Sequence, residues 1–188
     1  PDSNDRELLD VALEEVTRLA RLTRQMLDVY RTSVIPLEHE PVNLNEVIRD
    51  VASSSRENLR IHNIEFKLRL FPELPFIEGS KDKLKQVFLN LFINAVDAMP
   101  AGGTLAVQTT RHNGNIVVDV SDTGIGIAAE NINRIFDAFF TTKSKVSGVG
   151  LGLSVTYGIV RQHDGSIDVS SKPGEGALFR ITFPIKSS

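Results

Sequence analysis

The chain has 188 residues, 41% hydrophobic and 24% charged, enough to bury one sizeable core and an accessory element but not two full domains. A net charge of -3 without clustered Lys and Arg argues against a dedicated nucleic-acid surface, and the lack of Cys excludes disulfides and thiolate metal sites. Four scattered His make no metal cluster, and the longest apolar run, Val87 to Ala98, is broken by two Asn and one Asp and falls far short of the roughly 20 residues of a membrane span, so neither a span nor a signal peptide is expected.

The first 32 residues read as one long helix. Asp2, Ser3 or Asn4 can cap it, and Leu9, Leu13, Val16, Ala20, Thr23, Leu27 and Tyr30 recur at alternating steps of four and three. A second stripe, Ala12, Leu19 and Met26 with Leu22 and Val29, makes the apolar face wider than one partner helix covers. A four-helix bundle formed by dimerisation accounts for that width; a helix lying on its own domain's core is the alternative. Residues 30–41, with Pro36 and Pro41, break the helix as a linker.

Beyond the linker the pattern is mixed. Asn43 caps a helix from Leu44 to Leu59, Ile64 to Leu70 alternates as a half-buried strand, and a second helix runs from Ser80 to Met99. Gly102-Gly103 leads into a strand at Thr104 to Thr110, and Asn113-Gly114 signals a hairpin into Ile116 to Val120. Residues 128–135 read as a short helix, 136–149 as a polar loop and 150–162 as another helix. Two strands, Ser166 to Ser170 and Ala177 to Pro184, close the chain around the turn at 172–176. The expected fold class is α+β, with three helices over one face of a mixed, mainly antiparallel sheet.

On the second helix Leu84, Val87, Phe88, Leu91 and Ala95 form an apolar face, and Gln86, Asn90, Asn94 and Asp97 a polar stripe. Amide oxygens one helical turn apart can ligate a hard cation such as Mg²⁺, leaving positions for water and phosphate. A solvated face would show the same stripe, but Leu89, Phe92 and Ile93 crowd it with apolar neighbours, which suits a pocket. Asp122 ends a strand before Thr123-Gly-Ile-Gly126, where a carboxylate can accept from the exocyclic amine of adenine and glycines let backbone approach a planar base. Alone, that motif is also an ordinary turn. Gly148-Val-Gly150-Leu-Gly152 opens the next helix, so free N–H groups face outward toward an anion such as a triphosphate. Before it, Phe136 to Phe140 supply aromatic anchors and Thr141, Thr142 and Lys143 polar reach, as a mobile lid would need.

These four segments, in this order, resemble the N, G1, F and G2 boxes of sensor histidine kinases, in the superfamily that includes the gyrase ATPase. The Phe-Phe-Thr-Thr-Lys segment and the Leu-Ser-Val-Thr-Tyr-Gly helix are similar to the nitrogen-regulation subgroup. The resemblance implies a two-layer α/β sandwich preceded by a bundle helix: residues 1–32 as the second helix of the dimerisation and phosphotransfer bundle, 33–41 as linker, 42–188 as the catalytic ATP-binding domain. It implies that Asn90 and Asn94 hold Mg²⁺, with Asn90 and Lys143 catalytic, and that Asp122 reads adenine. Gly124 and Gly126 would shape the base pocket, and Thr142, Lys143, Gly148, Gly150, Leu151 and Gly152 would line the phosphates of ATP. The implied partners are a response regulator receiver domain and a second copy of the parent protein, with no nucleic acid. A cytoplasmic segment is expected, with any membrane anchor confined to other parts of the parent protein.

The sequence departs from the family pattern at Ala138, usually Pro, Asp164, usually Gly, and Ala177, usually a Thr whose hydroxyl supports the adenine side; Ala177 implies weaker nucleotide binding. The acceptor in such kinases is a His followed by an acidic residue on the first bundle helix. His39, His62, His112 and His163 each read instead as a surface or turn histidine, so the expectation is a fragment of a longer kinase that binds ATP without phosphorylating itself. Hydrolytic relatives carry a Glu general base where this chain has Asn90, which cannot take a proton. A non-catalytic dimerisation scaffold is the third alternative.

Overall fold

The computed structural model describes residues 12, 13, 16, 40–142 and 150–185. Its elements are β1 (Glu40–Val42), α1 (Leu44–Ile61), β2 (Ile64–Arg69), β3 (Ile77–Gly79), α2 (Lys81–Ala98), β4 (Gly103–His112), β5 (Asn115–Asp122), α3 (Ala129–Ile132), α4 (Gly152–Gln162), β6 (Ser166–Ser171) and β7 (Ala177–Pro184). Of the N-terminal helix, Ala12, Leu13 and Val16 are helical and exposed; the rest, with most of the linker, lies outside the described residues.

Strand alternation builds the sheet. Five strands run in the order β2-β4-β5-β7-β6, antiparallel except for the parallel β2 and β4 pair. Ile116, Val118 and Val120 on β5, and Phe179, Ile181 and Phe183 on β7, turn one way and are buried. The opposite face carries polar pairs such as Arg180 with Asp119, joined by two bonds of 2.8 Å. The hairpin expected at Asn113-Gly114 is present, with φ of 48° and 74°, the two positive values a type I′ turn requires.

The helices cover the buried face. Asn43 caps α1 by accepting from Asn45 N–H at 3.0 Å, and Leu44, Val47, Ile48 and Val51 then recur on one buried stripe. On α2, Leu84, Val87, Phe88, Leu91, Phe92, Ala95 and Val96 are buried, which leaves the polar stripe on the other side. Phe92 is corrected by this arrangement: rather than crowding the stripe it points into the core, 5.5 Å from the Phe66 ring. Leu89 and Ile93, the other two residues of that expectation, are 43% and 45% exposed.

Two short strands were missed. β1 and β3 form a separate antiparallel ladder, so Glu40 and Pro41 are paired with Gly79 and Glu78 rather than loose linker. Three residues carry no readable period, and Pro41 signals a break, although an edge position tolerates it.

His163 is corrected as well. It is a buried residue, not a surface one, at the C-terminal cap of α4. Its Nε2 accepts from the Ser80 N–H at 3.0 Å, so Nδ1 carries the hydrogen that faces the Ile159 carbonyl at 2.7 Å. The ring lies against Phe183, and Gly79 passes so close that a Cβ there would strike the imidazole. One side chain thereby ties the end of α4 to the start of α2. Asp164 follows at φ 57°, which explains why Gly suits this position and why Asp, tolerant of the left-handed region, can replace it.

Replacing His163 with Ala should leave the Ser80 N–H without its acceptor and open a cavity. We expect His163→Ala to lower the unfolding free energy by about 3 kcal/mol, measured by urea denaturation followed by circular dichroism.

Candidate nucleotide site

Helix α2 carries the site because it is held to α4 near its middle and to the loop after β5 at its end. Near the middle, Asn90 Nδ2 donates to the Gly152 carbonyl at 3.0 Å and to Thr156 Oγ1 at 3.3 Å, both on α4. At the end, the Ala98 carbonyl accepts from the Ile125 N–H at 2.9 Å, which docks the loop after β5 onto the helix. Asn90 and Ala98 are eight residues apart, so the two anchors lie about 12 Å from one another along the helix at 1.5 Å per residue. Asn94, half-buried, falls between them on the same polar face.

Asp122 owes its position to strand parity. It follows Ile116, Val118 and Val120 on the buried side of β5, so alternation turns its carboxylate toward the helices, where it is 9% exposed. Oδ1 accepts from the Gly124 N–H at 2.8 Å, and the Ala177 backbone N–H donates to the same carboxylate. Burial pushes its pKa above the ordinary aspartate range, and these two N–H groups oppose that push only in part. A cavity of about 320 Å³ borders it, lined also by Lys172, Glu175, Gly176 and Ala177. A second groove, of about 570 Å³ between α1 and α2, is lined by Gln86 of the polar stripe and by Leu89 but by none of the residues assigned to ATP or Mg²⁺.

Two glycines of this loop are required by contact. A Cβ on Gly124 would stand 2.5 Å from the Ala98 carbonyl oxygen, and Gly126, at φ 71°, lies against the Lys172 carbonyl. The loop is bound to the β6–β7 turn as well: Ser171 Oγ accepts from the Ile127 N–H at 2.9 Å and donates to the Gly176 carbonyl at 2.6 Å. Gly174 N–H donates to the Ile125 carbonyl at 2.8 Å.

The Gly-rich loop meets α4 from the other side. Gly150, at φ 71°, packs directly on the Phe139 and Phe140 backbone, and its carbonyl accepts from the Phe139 N–H at 2.9 Å. Buried Leu151 stands at the N-cap of α4 with no side-chain cap bond, and Gly152 begins the helix. Phe136 stacks on Tyr157 at 5.6 Å and Arg134 lies over Phe140 at 4.6 Å, so the aromatic anchors expected before the lid are present. Thr142 is exposed; Lys143 and Gly148 lie outside the described residues.

The structure thus brings Asn90 together with Gly152, and Asp122 together with Gly124, with α4 and the loop after β5 both tied to α2. Sequence reasoning missed Thr156, Ser171, Gly176 and the carbonyl of Ala98. Gly176 had a signal, the Gly-x-Gly before Ala177; the Cβ it lacks would collide with the Asp122 carbonyl. The other three carry no local signature, since each acts through a contact distant in sequence.

Against known proteins, the profile of the family described as "Histidine kinase-, DNA gyrase B-, and HSP90-like ATPase" matches residues 79–187. The sensor histidine kinase ZraS of Klebsiella oxytoca is 37% identical over 185 residues, covering 98% of this chain and 39% of the relative. A crystal structure of full-length ShkA in complex with AMPPNP superposes with a TM-score of 0.84 at 27% identity, over 100% of this chain and 40% of that one. The structure of histidine kinase ThkA in complex with the response regulator protein TrrA gives a TM-score of 0.79 at 28% identity, over 99% and 53%. This chain spans well under half the length of the curated relatives it matches.

The contacts separate structural from functional glycines. Gly124→Ala should cost about 2 kcal/mol or more, because a backbone carbonyl must yield. Gly152→Ala should leave stability nearly unchanged, since its Cβ would sit at an ordinary 3.8 Å from Asn90 Cγ. Paired chemical denaturation curves check both.

Proposed function

This chain belongs to the histidine kinase-, DNA gyrase B- and HSP90-like ATPase family and corresponds to the ATP-binding catalytic portion of sensor histidine kinases, and we propose that it presents ATP for transfer of the γ-phosphate to a histidine. The observation that carries the proposal is the two-point anchoring of α2. Asp122 stands at the Ala98 end and the uncapped N-terminus of α4 at the Asn90 end, so a base site and a phosphate site share one rigid helix.

The roles follow from chemistry. The Asp122 carboxylate accepts from the adenine amine, while Gly124 and Gly126 keep side chains away from the ring. Gly150 and Gly152 bring backbone N–H groups to the phosphates, with Leu151 buried beneath. Thr142 and Lys143 reach the phosphates from the lid. A Mg²⁺ ion fits the donor set: Asn90 spends its amine on α4, which leaves the hard carbonyl oxygen for a cation, and Asn94 repeats the amide one turn later. When bound, the ion would neutralise phosphate charge. Among the described residues no cluster of three acidic or His ligands competes with this arrangement.

The family also contains hydrolases, and Asn90 discriminates. An amide cannot serve as the general base that hydrolysis needs at that position, whereas an imidazole acceptor is itself a competent nucleophile. None of the described histidines is placed to be that acceptor: His62 and His112 sit at exposed element ends, and His163 has both ring nitrogens engaged. His39 lies outside the described residues. On this reading the phosphate goes to a histidine on a bundle helix of the parent protein, and then to a response regulator receiver domain. The exposed Leu13 and Val16 support dimerisation through N-terminal helices of the parent protein. Among the described residues no helix is long and apolar enough to cross a membrane; on this reading the site works in the cytoplasm, where ATP and Mg²⁺ are.

Calorimetric titration with a non-hydrolysable ATP analogue tests the reading. One-to-one binding should weaken without Mg²⁺ and disappear in Asp122→Ala; no heat in the unaltered protein would sink it. Ala177→Thr should tighten binding several-fold, because a hydroxyl would stand beside Asp122, its partner in strand register.

Affinity should also fall on acidification, beginning above the ordinary aspartate range, since the raised Asp122 pKa brings its protonation closer to neutrality. The sign for folding is the reverse. A carboxyl whose pKa is raised by folding stabilises the unliganded protein below its unfolded pKa and loses that contribution as pH rises through the folded value. Binding and melting curves over the same pH series should therefore slope in opposite directions for this group.

A further inference from the structure

We infer that Thr156 is a positioning residue that sets the rotation of the Asn90 amide, turning its oxygen toward the nucleotide and its amine toward α4. The inference rests on the reading of Asn90 as a Mg²⁺ ligand.

Thr156 is fully buried on α4, and its Oγ1 donates to the Gly152 carbonyl at 2.9 Å. Back-bonding of this kind gives a helix little, and a buried hydroxyl in a helix interior calls for a partner of its own. That partner is Asn90. With its hydrogen spent on Gly152, Oγ1 offers only a lone pair, which Nδ2 meets at 3.3 Å while also donating to the Gly152 carbonyl at 3.0 Å. Both amide hydrogens have an acceptor on α4. A flipped amide would set Oδ1 against the Gly152 carbonyl, which has no hydrogen to give, and could be met only by turning the Thr156 hydroxyl off that carbonyl. Carbonyl and hydroxyl together therefore disfavour the orientation in which a positive N–H edge faces the cation.

A second position reinforces this. The Gly152 carbonyl is held on the first turn of α4, directly after the Gly150 turn that packs on Phe139 and Phe140. The amide is consequently oriented by the same helix whose N-terminus faces the phosphates.

The test is the ratio of analogue affinity in Mg²⁺ to that in EDTA, read by calorimetry for the unaltered protein, Thr156→Val, Thr156→Ser and Asn90→Ala. Thr156→Val should lose about tenfold of the Mg²⁺-dependent gain while its affinity in EDTA stays unchanged. Thr156→Ser, which keeps the hydroxyl, should retain the gain. Asn90→Ala should abolish it, and adding Thr156→Val should cost nothing more. A readout free of nucleotide is the hydrogen exchange of the Asn90 side-chain amide by NMR, slow in the unaltered protein and faster in Thr156→Val. If Thr156→Val does not fold, Thr156→Ala reads the same ratio. An unaltered protein whose binding ignores Mg²⁺ would overturn the metal reading and this inference with it. A Mg²⁺-dependent protein whose Thr156→Val variant keeps the full gain and slow exchange would overturn this inference alone, as would equal losses in Mg²⁺ and EDTA.

Discussion

Everything at the candidate site hangs on the amphipathic division of α2. Its apolar side, from Leu84 to Val96, is sealed against the sheet and α1, so its polar side has no freedom to roll. Because Asn90 fastens α4, and Ala98 the loop after β5, to that rigid rod, the proposed base end and phosphate end keep a constant separation. A helix with a polar stripe is common; one fastened to a neighbour on its polar side by both a side chain and a backbone carbonyl is a scaffold for a ligand.

The carboxylate of Asp122 shows how such a scaffold holds an unfavourable group. Strand parity drives it inward, burial raises its pKa, and the N–H groups of Gly124 and Ala177 offset part of the cost. The carboxylate is thus kept in place by backbone N–H groups, with hydrogen-bonding capacity left for a donor. A surface aspartate would bind the same donor more weakly, because water competes for it.

The sequence revealed the elements with strong periods and the residues with strong chemistry. The alternation of β5 and β7, the cap of α1 and the Asn113-Gly114 hairpin were all legible, and Asn90, Asp122 and the glycines around them stood out as candidates by their chemistry. What escaped was non-local. β1 and β3 are too short for a period and exist only through each other. His163 looks like a turn residue because its neighbours in sequence say so, while its partner Ser80 is 83 residues away. Phe92 was assigned to the wrong side because a helix wheel divided by residue type alone cannot tell a wide core face from a pocket rim. Thr156 reads as an ordinary helix residue until Asn90 is placed across from it.

The His163 bridge bears on how the chain comes off the ribosome. The backbone donor at the head of α2 finds its acceptor only after a further 83 residues have been synthesised, and Asp122 finds the Ala177 N–H only once β7 has emerged. A nascent chain ending before β6 can therefore gather α1 and α2 on a partial sheet, but it holds no finished nucleotide site. Completion of the proposed site therefore waits for β7, so a product truncated before that strand would lack the Ala177 N–H beside Asp122.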